Sequence, residues 1–169
     1  MVSHRDGLLD LRNLHSIPYL KEGAMNLKQL TPRHFVSDQL VPEDFAVLAA
    51  QGIKSVINNR PDAEAADQPP SNELEQAASL VGIDYVYSPI VTQFLTPEEL
   101  EENQRALRAM KTPICAFCRT GARAAITWGL HSKDTENKAP IIEIVASAGL
   151  PTEALTKQLA HLSESSLET

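Results

Sequence analysis

The sequence predicts one α/β domain: a mostly parallel central sheet flanked by helices, with an N-terminal hairpin and a helical C-terminus. Three observations carry this. Short apolar runs of strand type alternate with amphipathic helical stretches from residue 53 to residue 131. Such alternation calls for right-handed crossovers between parallel strands. The helical stretches are punctuated by Pro42, Ser71 and Thr96-Pro97 at their starts and by Gly52, Gly82 and Gly149 at their ends. Finally, 169 residues with 43% hydrophobic and 22% charged side chains suit one folded domain with its own core.

The elements follow in order. Residues 26–30 and 34–37 alternate apolar and polar around Thr31-Pro32-Arg33, which reads as a hairpin. Pro42 opens a helix whose Phe45, Leu48 and Ala49 share a face and which Gly52 ends; Val41 before it is a poor cap. Residues 53–58 form a strand, and residues 58–70 a loop. Ser71 caps a helix running to Val81, with Leu74, Ala77 and Ala78 in a stripe. Residues 83–87 form the next strand. Thr96-Pro97-Glu98-Glu99 combines a cap, a proline in the first turn and a capping box, so a helix runs from there to about Met110. Residues 113–117 are an apolar strand, residues 119–123 a turn, and residues 122–131 a helix. Ile141, Ile144, Val145 and Ala148 keep helical spacing, and Thr152 caps a last helix carrying Leu155, Leu159 and Leu162.

Residues 1–25 predict an appendage outside the domain, which spans 26–165, with Met25 as a candidate natural start. Leu8, Leu11 and Leu14 are spaced as on a weak helix, but Asp6, Asp10 and Glu22 argue against a transit peptide. No apolar run approaches the ~20 residues that span a bilayer, so a cytoplasmic location without membrane association is expected. The formal charge is −7 and the pI about 5.2, which excludes a general nucleic-acid binder. Two cysteines are too few for a disulfide framework. The five histidines are dispersed and show no ligand spacing, so neither a metal nor a cofactor is expected.

The chemistry concentrates after residue 117. In parallel sheets ligands bind beyond the carboxyl ends of strands. Here an apolar strand runs directly into Cys118-Arg119-Thr120-Gly121-Ala122-Arg123 and then a helix. That arrangement places a thiol where backbone N–H groups and a helix N-terminus converge, which favours the thiolate and equally seats an anion. Gly121 permits the tight curl, and Arg123 can fork onto two anionic oxygens. Cys118 and Arg123 are the expected catalytic pair. Arg119, Thr120, Gly121, Ala122 and Arg123 form the expected anion loop, with Arg119 exposed and contributing field only. Cys115 and Cys118 lie three apart, yet strand alternation turns Ile114, Ala116 and Cys118 to one face and Cys115 and Phe117 to the other. Cys115 is therefore expected in the core, not as a redox partner.

The loop resembles the active-site loops of cysteine-dependent phosphatases and of rhodaneses. The wider frame is similar to the phosphatase-like domain of the beta-lactamase hydrolase-like protein family. The pieces that carry this are residues 34–40 ahead of Pro42-Glu43-Asp44, Ile57-Asn58-Asn59-Arg60-Pro61-Asp62, Gln68-Pro69, Leu95-Thr96-Pro97-Glu98 and residues 117–123. The resemblance implies a dual-specificity-phosphatase-like α/β fold. Two departures matter. Four residues separate Cys118 from Arg123, where the phosphatase signature has five, and Ala124 follows where phosphatases carry Ser or Thr. The loop of residues 88–95, which would supply the phosphatase acid, holds no carboxylate. Asp62 is the best substitute as general acid, because Glu98 is spent on its helix start, and Arg60 adds positive field.

Three functions follow. The first is hydrolysis of phosphate esters through a thiol-phosphate intermediate. The second is a rhodanese-like sulfurtransferase carrying a persulfide on Cys118. The third is a non-catalytic anion-binding module. In each the partner is a small anion.

Overall fold

The computed structural model describes residues 24–132 and 140–165; all but the last two residues of the expected appendage lie outside them. The elements in order are β1 (Lys28–Thr31), β2 (His34–Ser37), α1 (Asp44–Ala50), β3 (Ser55–Asn58), α2 (Ser71–Leu80), β4 (Asp84–Tyr87), α3 (Pro97–Ala109), β5 (Ile114–Phe117), α4 (Ala122–Ser132), α5 (Ile141–Ser147) and α6 (Glu153–Ser165).

One five-stranded sheet runs in the order β1-β2-β5-β3-β4. The hairpin pair β1 and β2 is antiparallel, with Lys28 opposite Val36 and Thr31 opposite His34. The pairs β2–β5, β3–β5 and β3–β4 are parallel. β5 therefore lies between β2 and β3, with Ala116 opposite both Val36 and Ile57. The carboxyl ends of β2, β5, β3 and β4 all reach the same edge of the sheet, and the four loops that leave them meet there.

The alternation of β5 divides the core into two layers. Ile114 and Ala116 pack with Trp128, Leu130, Leu107, Val145 and Leu155 from α3 to α6. Cys115 and Phe117 pack with Phe45 and Leu48 of α1 and Leu74 and Ala78 of α2. The result is a helix–sheet–helix sandwich in which both faces of a short apolar strand are covered, as a parallel strand requires. α4 is apolar nearly all round because it lies between the sheet and α3, α5 and α6; ten of its eleven residues are buried.

Local capping explains where the boundaries depart from expectation. α1 starts at Asp44, two residues after Pro42, because Val41 offers no cap; the Asp44 carboxylate instead accepts the Val41 N–H at 2.9 Å. Ser71 is the first helical residue of α2 and not its cap, a place that Pro70 takes. The missing cap is supplied through space: Asp62 Oδ1 accepts the Ser71 N–H at 2.8 Å. α3 begins as its sequence predicts. The Thr96 hydroxyl accepts the Glu99 N–H at 3.2 Å, and Glu99 accepts the Thr96 N–H at 2.9 Å. Glu99, not Glu98, closes this box.

Candidate functional site

Cys118 sits one residue beyond β5 and is 1% exposed. Its sulfur accepts the Gly121 N–H at 3.2 Å. The curl that aims this N–H needs Gly121 at φ +93°, a conformation that L side chains rarely adopt. Space is not what demands glycine: an added Cβ would lie 3.4 Å from Leu150 Cδ2 and from the Ser37 carbonyl oxygen, a close but ordinary contact. The Thr120 hydroxyl accepts the Ala122 N–H at 3.4 Å, and α4 starts at Ala122. The thiol thus faces the positive end of a buried helix. Arg119 is exposed, as expected of it, and so is Thr120, while Gly121, Ala122 and Arg123 are buried.

Arg123 is 8% exposed and fully engaged on one side. Nη1 donates to the Ile90 carbonyl at 2.7 Å and stands 2.8 Å from Glu64 Oε1. Nη2 donates to Glu64 Oε2 at 2.9 Å. Burial opposes the charge on this guanidinium. Its bonds to Glu64 and the nearby Cys118 sulfur outweigh that and hold it firmly protonated. Arg60, 5% exposed, donates from Nε to the same Glu64 Oε2 at 2.7 Å and from Nη1 to Gln39 Oε1 at 2.7 Å. Glu64 is held below the usual carboxylate range, first by the bond from Arg123 and then, against some desolvation, by Arg60. The backbone beside it is strained: Ala63 has φ +59° without being glycine.

Asn59 is the second residue that sequence reasoning missed. It is 0% exposed. Its N–H donates to the Phe117 carbonyl at 2.8 Å, its Nδ2 to the Ser88 carbonyl at 2.9 Å, and its own carbonyl accepts the Ile90 N–H at 2.9 Å. One side chain and its backbone therefore tie the ends of β3, β4 and β5 together and fix the Ile90 carbonyl under Arg123. Glu64 carried a faint signal, since it lies four residues after Arg60 as an ion-pairing partner would. Asn59 carried none beyond its place at a strand exit.

The structure brings Cys118, Gly121, Ala122, Arg123 and Arg60 to one sheet edge. Asp62 lies on the loop that also carries Arg60 and Glu64, but its carboxylate caps α2 through Ser71, and the acidic group on Arg123 is Glu64. Cys115 is 0% exposed in the α1–α2 layer, and burial, with the Asp44 charge, pushes its thiol well above the ordinary range. Both thiols are free, and strand phase keeps them apart as expected. The arrangement can seat a small anion beside the Cys118 sulfur while keeping bulk water from it. Among the described residues no group of three or more His, Cys, Asp or Glu is placed to hold a metal ion.

Comparison with known proteins agrees with this fold. Residues 26–135 match the family model described as the beta-lactamase hydrolase-like protein, phosphatase-like domain. A beta-lactamase hydrolase-like protein of Agrobacterium fabrum is 33% identical over 100 residues, which cover 59% of this chain and 23% of that protein. The chain thus spans about a quarter of that relative's length. Among solved structures, a candidate phosphatase from Neisseria meningitidis superposes with a TM-score of 0.70 at 27% identity, covering 80% of this chain and 97% of that one. Tk-PTP in its active form gives 0.60 at 16% identity, covering 82% and 97%, a likeness of fold alone.

Proposed function

Because the chain belongs to the family of the beta-lactamase hydrolase-like protein's phosphatase-like domain, we propose that it is a phosphatase-type hydrolase in which Cys118 is the nucleophile. The observation that carries this is the buried Cys118 sulfur receiving the Gly121 N–H at 3.2 Å at the head of α4, with Arg123 in the first turn of that helix. The thiolate attacks the phosphorus of a phosphate ester, a sulfur–phosphorus bond forms, and the ester oxygen leaves with its bonding pair. Water then attacks the thiol-phosphate, releases phosphate and regenerates the thiolate. The loop N–H groups and Arg123 hold the equatorial oxygens as charge develops on them.

The leaving oxygen needs a proton. Asp62 is the sequence's candidate, and its bond to the Ser71 N–H holds that carboxylate at the start of α2. Glu64 is ionised between two arginines and is a poor donor. Substrates whose leaving oxygen is stable as an anion, such as aryl phosphates, are therefore favoured over alkyl phosphates.

One observation favours a second reading, a sulfurtransferase. The loop from Cys118 to Arg123 has four intervening residues, the rhodanese length, and Ala124 offers no hydroxyl to help expel a thiolate. In that chemistry Cys118 attacks the outer sulfur of thiosulfate, the sulfur–sulfur bond breaks, and sulfite leaves as an anion without protonation. The persulfide then passes its sulfur to an acceptor thiolate.

Two assays on the same preparation separate the readings. Phosphate release from an aryl phosphate, lost in Cys118→Ser, supports hydrolysis. A gain of one sulfur in intact mass after thiosulfate, lost in the same variant, supports transfer. If Cys118→Ser leaves both assays unchanged, the site assignment is wrong; if the parent shows neither activity, the loop is a non-catalytic anion-binding module.

A further inference from the structure

The carboxylate on Arg123 points to what the loop admits. Glu64 occupies the Nη1–Nη2 edge of Arg123 at 2.8 and 2.9 Å and the Nε of Arg60 at 2.7 Å. With Nη1 shared between Glu64 and the Ile90 carbonyl, the donors that remain to Arg123 are on Nε and Nη2, and the Cys118 sulfur already bears on the guanidinium. Two guanidiniums and one carboxylate leave a single positive charge, with both guanidiniums buried and the Glu64 side chain 30% exposed. One thiolate, or one singly charged oxyanion, neutralises that. A doubly charged anion overfills it, and the repulsion from Glu64 is twice as large for a dianion as for a monoanion at the same distance. Arg60 and Arg123 are 5% and 8% exposed while Glu64 opens to solvent, so water weakens that repulsion without removing it. The placement is also costly to hold. The left-handed Ala63 at φ +59° directly precedes Glu64, and such strain persists only where the surroundings over-determine it.

We infer that Glu64 is a specificity-determining residue: from the far edge of Arg123 it lowers the charge of the Cys118–Arg123 loop and biases it toward singly charged groups. The inference rests on reading that loop as an anion seat, as proposed above. It does not depend on which group is transferred. A purely positioning role for Glu64 makes the opposite prediction, because a loosened Arg123 binds every anion less well.

The test titrates the full chain with sodium sulfate and, separately, with sodium nitrate at constant ionic strength. It follows the Nε–H resonance of Arg123 by NMR, assigned by its loss in Arg123→Lys. In Glu64→Gln, which keeps an acceptor oxygen and loses the charge, the sulfate dissociation constant is expected to fall about tenfold and that of nitrate only about threefold. Sulfate binding that is unchanged or weaker in Glu64→Gln overturns the inference. Should Glu64→Gln not fold, Glu64→Asp moves the charge back by one methylene; tighter sulfate binding there supports the inference and unchanged or weaker binding overturns it. If neither anion shifts Arg123 in any of the proteins, the anion-seat reading fails together with this one. If the charge preference appears as expected but Cys118→Ser changes neither phosphate release nor sulfur uptake, only the proposed chemistry falls.

Discussion

Arg123→Lys keeps the charge at the head of α4 and removes the fork, so it separates geometry from field. Arg123 satisfies the Ile90 carbonyl at 2.7 Å and both Glu64 oxygens at 2.8 and 2.9 Å. A single tetrahedral ammonium on a shorter stem lacks the planar fork and cannot serve all three. Ile90 is 0% exposed, so its carbonyl has no ready water to turn to. An orphaned buried carbonyl costs about 1–3 kcal/mol, and one lost carboxylate bond adds roughly 1 kcal/mol. The expected loss of stability is about 3 kcal/mol. For a chain of this length each kcal/mol lowers Tm by about 2–4 °C, so scanning calorimetry should show a drop of roughly 6–12 °C. Phosphate release from an aryl phosphate should fall by about 10²-fold, the scale seen when one charge-stabilising donor is removed. A variant whose Tm lies within about 2 °C of the parent, with its rate within roughly threefold, refutes the claim that the fork organises the site.

Other expectations follow from the same geometry. Limited iodoacetamide treatment of the native protein should label one thiol, a label lost in Cys118→Ser and kept in Cys115→Ala; labelling of Cys115, whose thiol burial holds protonated, would overturn the two-face assignment of β5. His34 is held neutral, its pKa lowered to about 4 by burial and then by His131 and Arg33. The unfolded chain therefore protonates His34 first. Stability is fully present above about pH 6.5 and declines as pH falls toward 4, by about 1–2 kcal/mol after allowance for its part exposure. His34→Gln should flatten the Tm profile across that window, and an unchanged slope counts against it. Thr96→Ala opens the capping box of α3 and should cost about 1 kcal/mol, read as a Tm shift of about 2–4 °C; no shift means the box contributes nothing.

What the sequence determined by itself lies within short stretches of chain. The capping box of Thr96 and Glu99 is three residues across, and its bonds are local. The opposite facing of Cys115 and Cys118 follows from pleat alternation over four residues. The curl at Gly121 and the emergence of α4 behind Cys118 are likewise written in one contiguous run. Alternation of strands and helices was enough to imply a parallel sheet, because few chain paths bury both faces of such strands.

The tertiary structure decided everything that joins separate loops. Insertion of β5 between β2 and β3 brings residue 64 onto residue 123 across 59 positions of sequence. Nothing local marks Glu64 as the partner of Arg123, and Asp62, two residues earlier, was the more conspicuous candidate. Ser71 turned out not to cap its own helix, because Asp62 from the preceding loop reaches it first. Asn59 ties three strand ends with bonds to backbone atoms 29 and 58 residues away. Side chains of a given type can make such contacts with any exposed N–H or carbonyl, so identity alone does not select the partner. The order of the strands does, and that order is set by how two apolar layers close over one sheet.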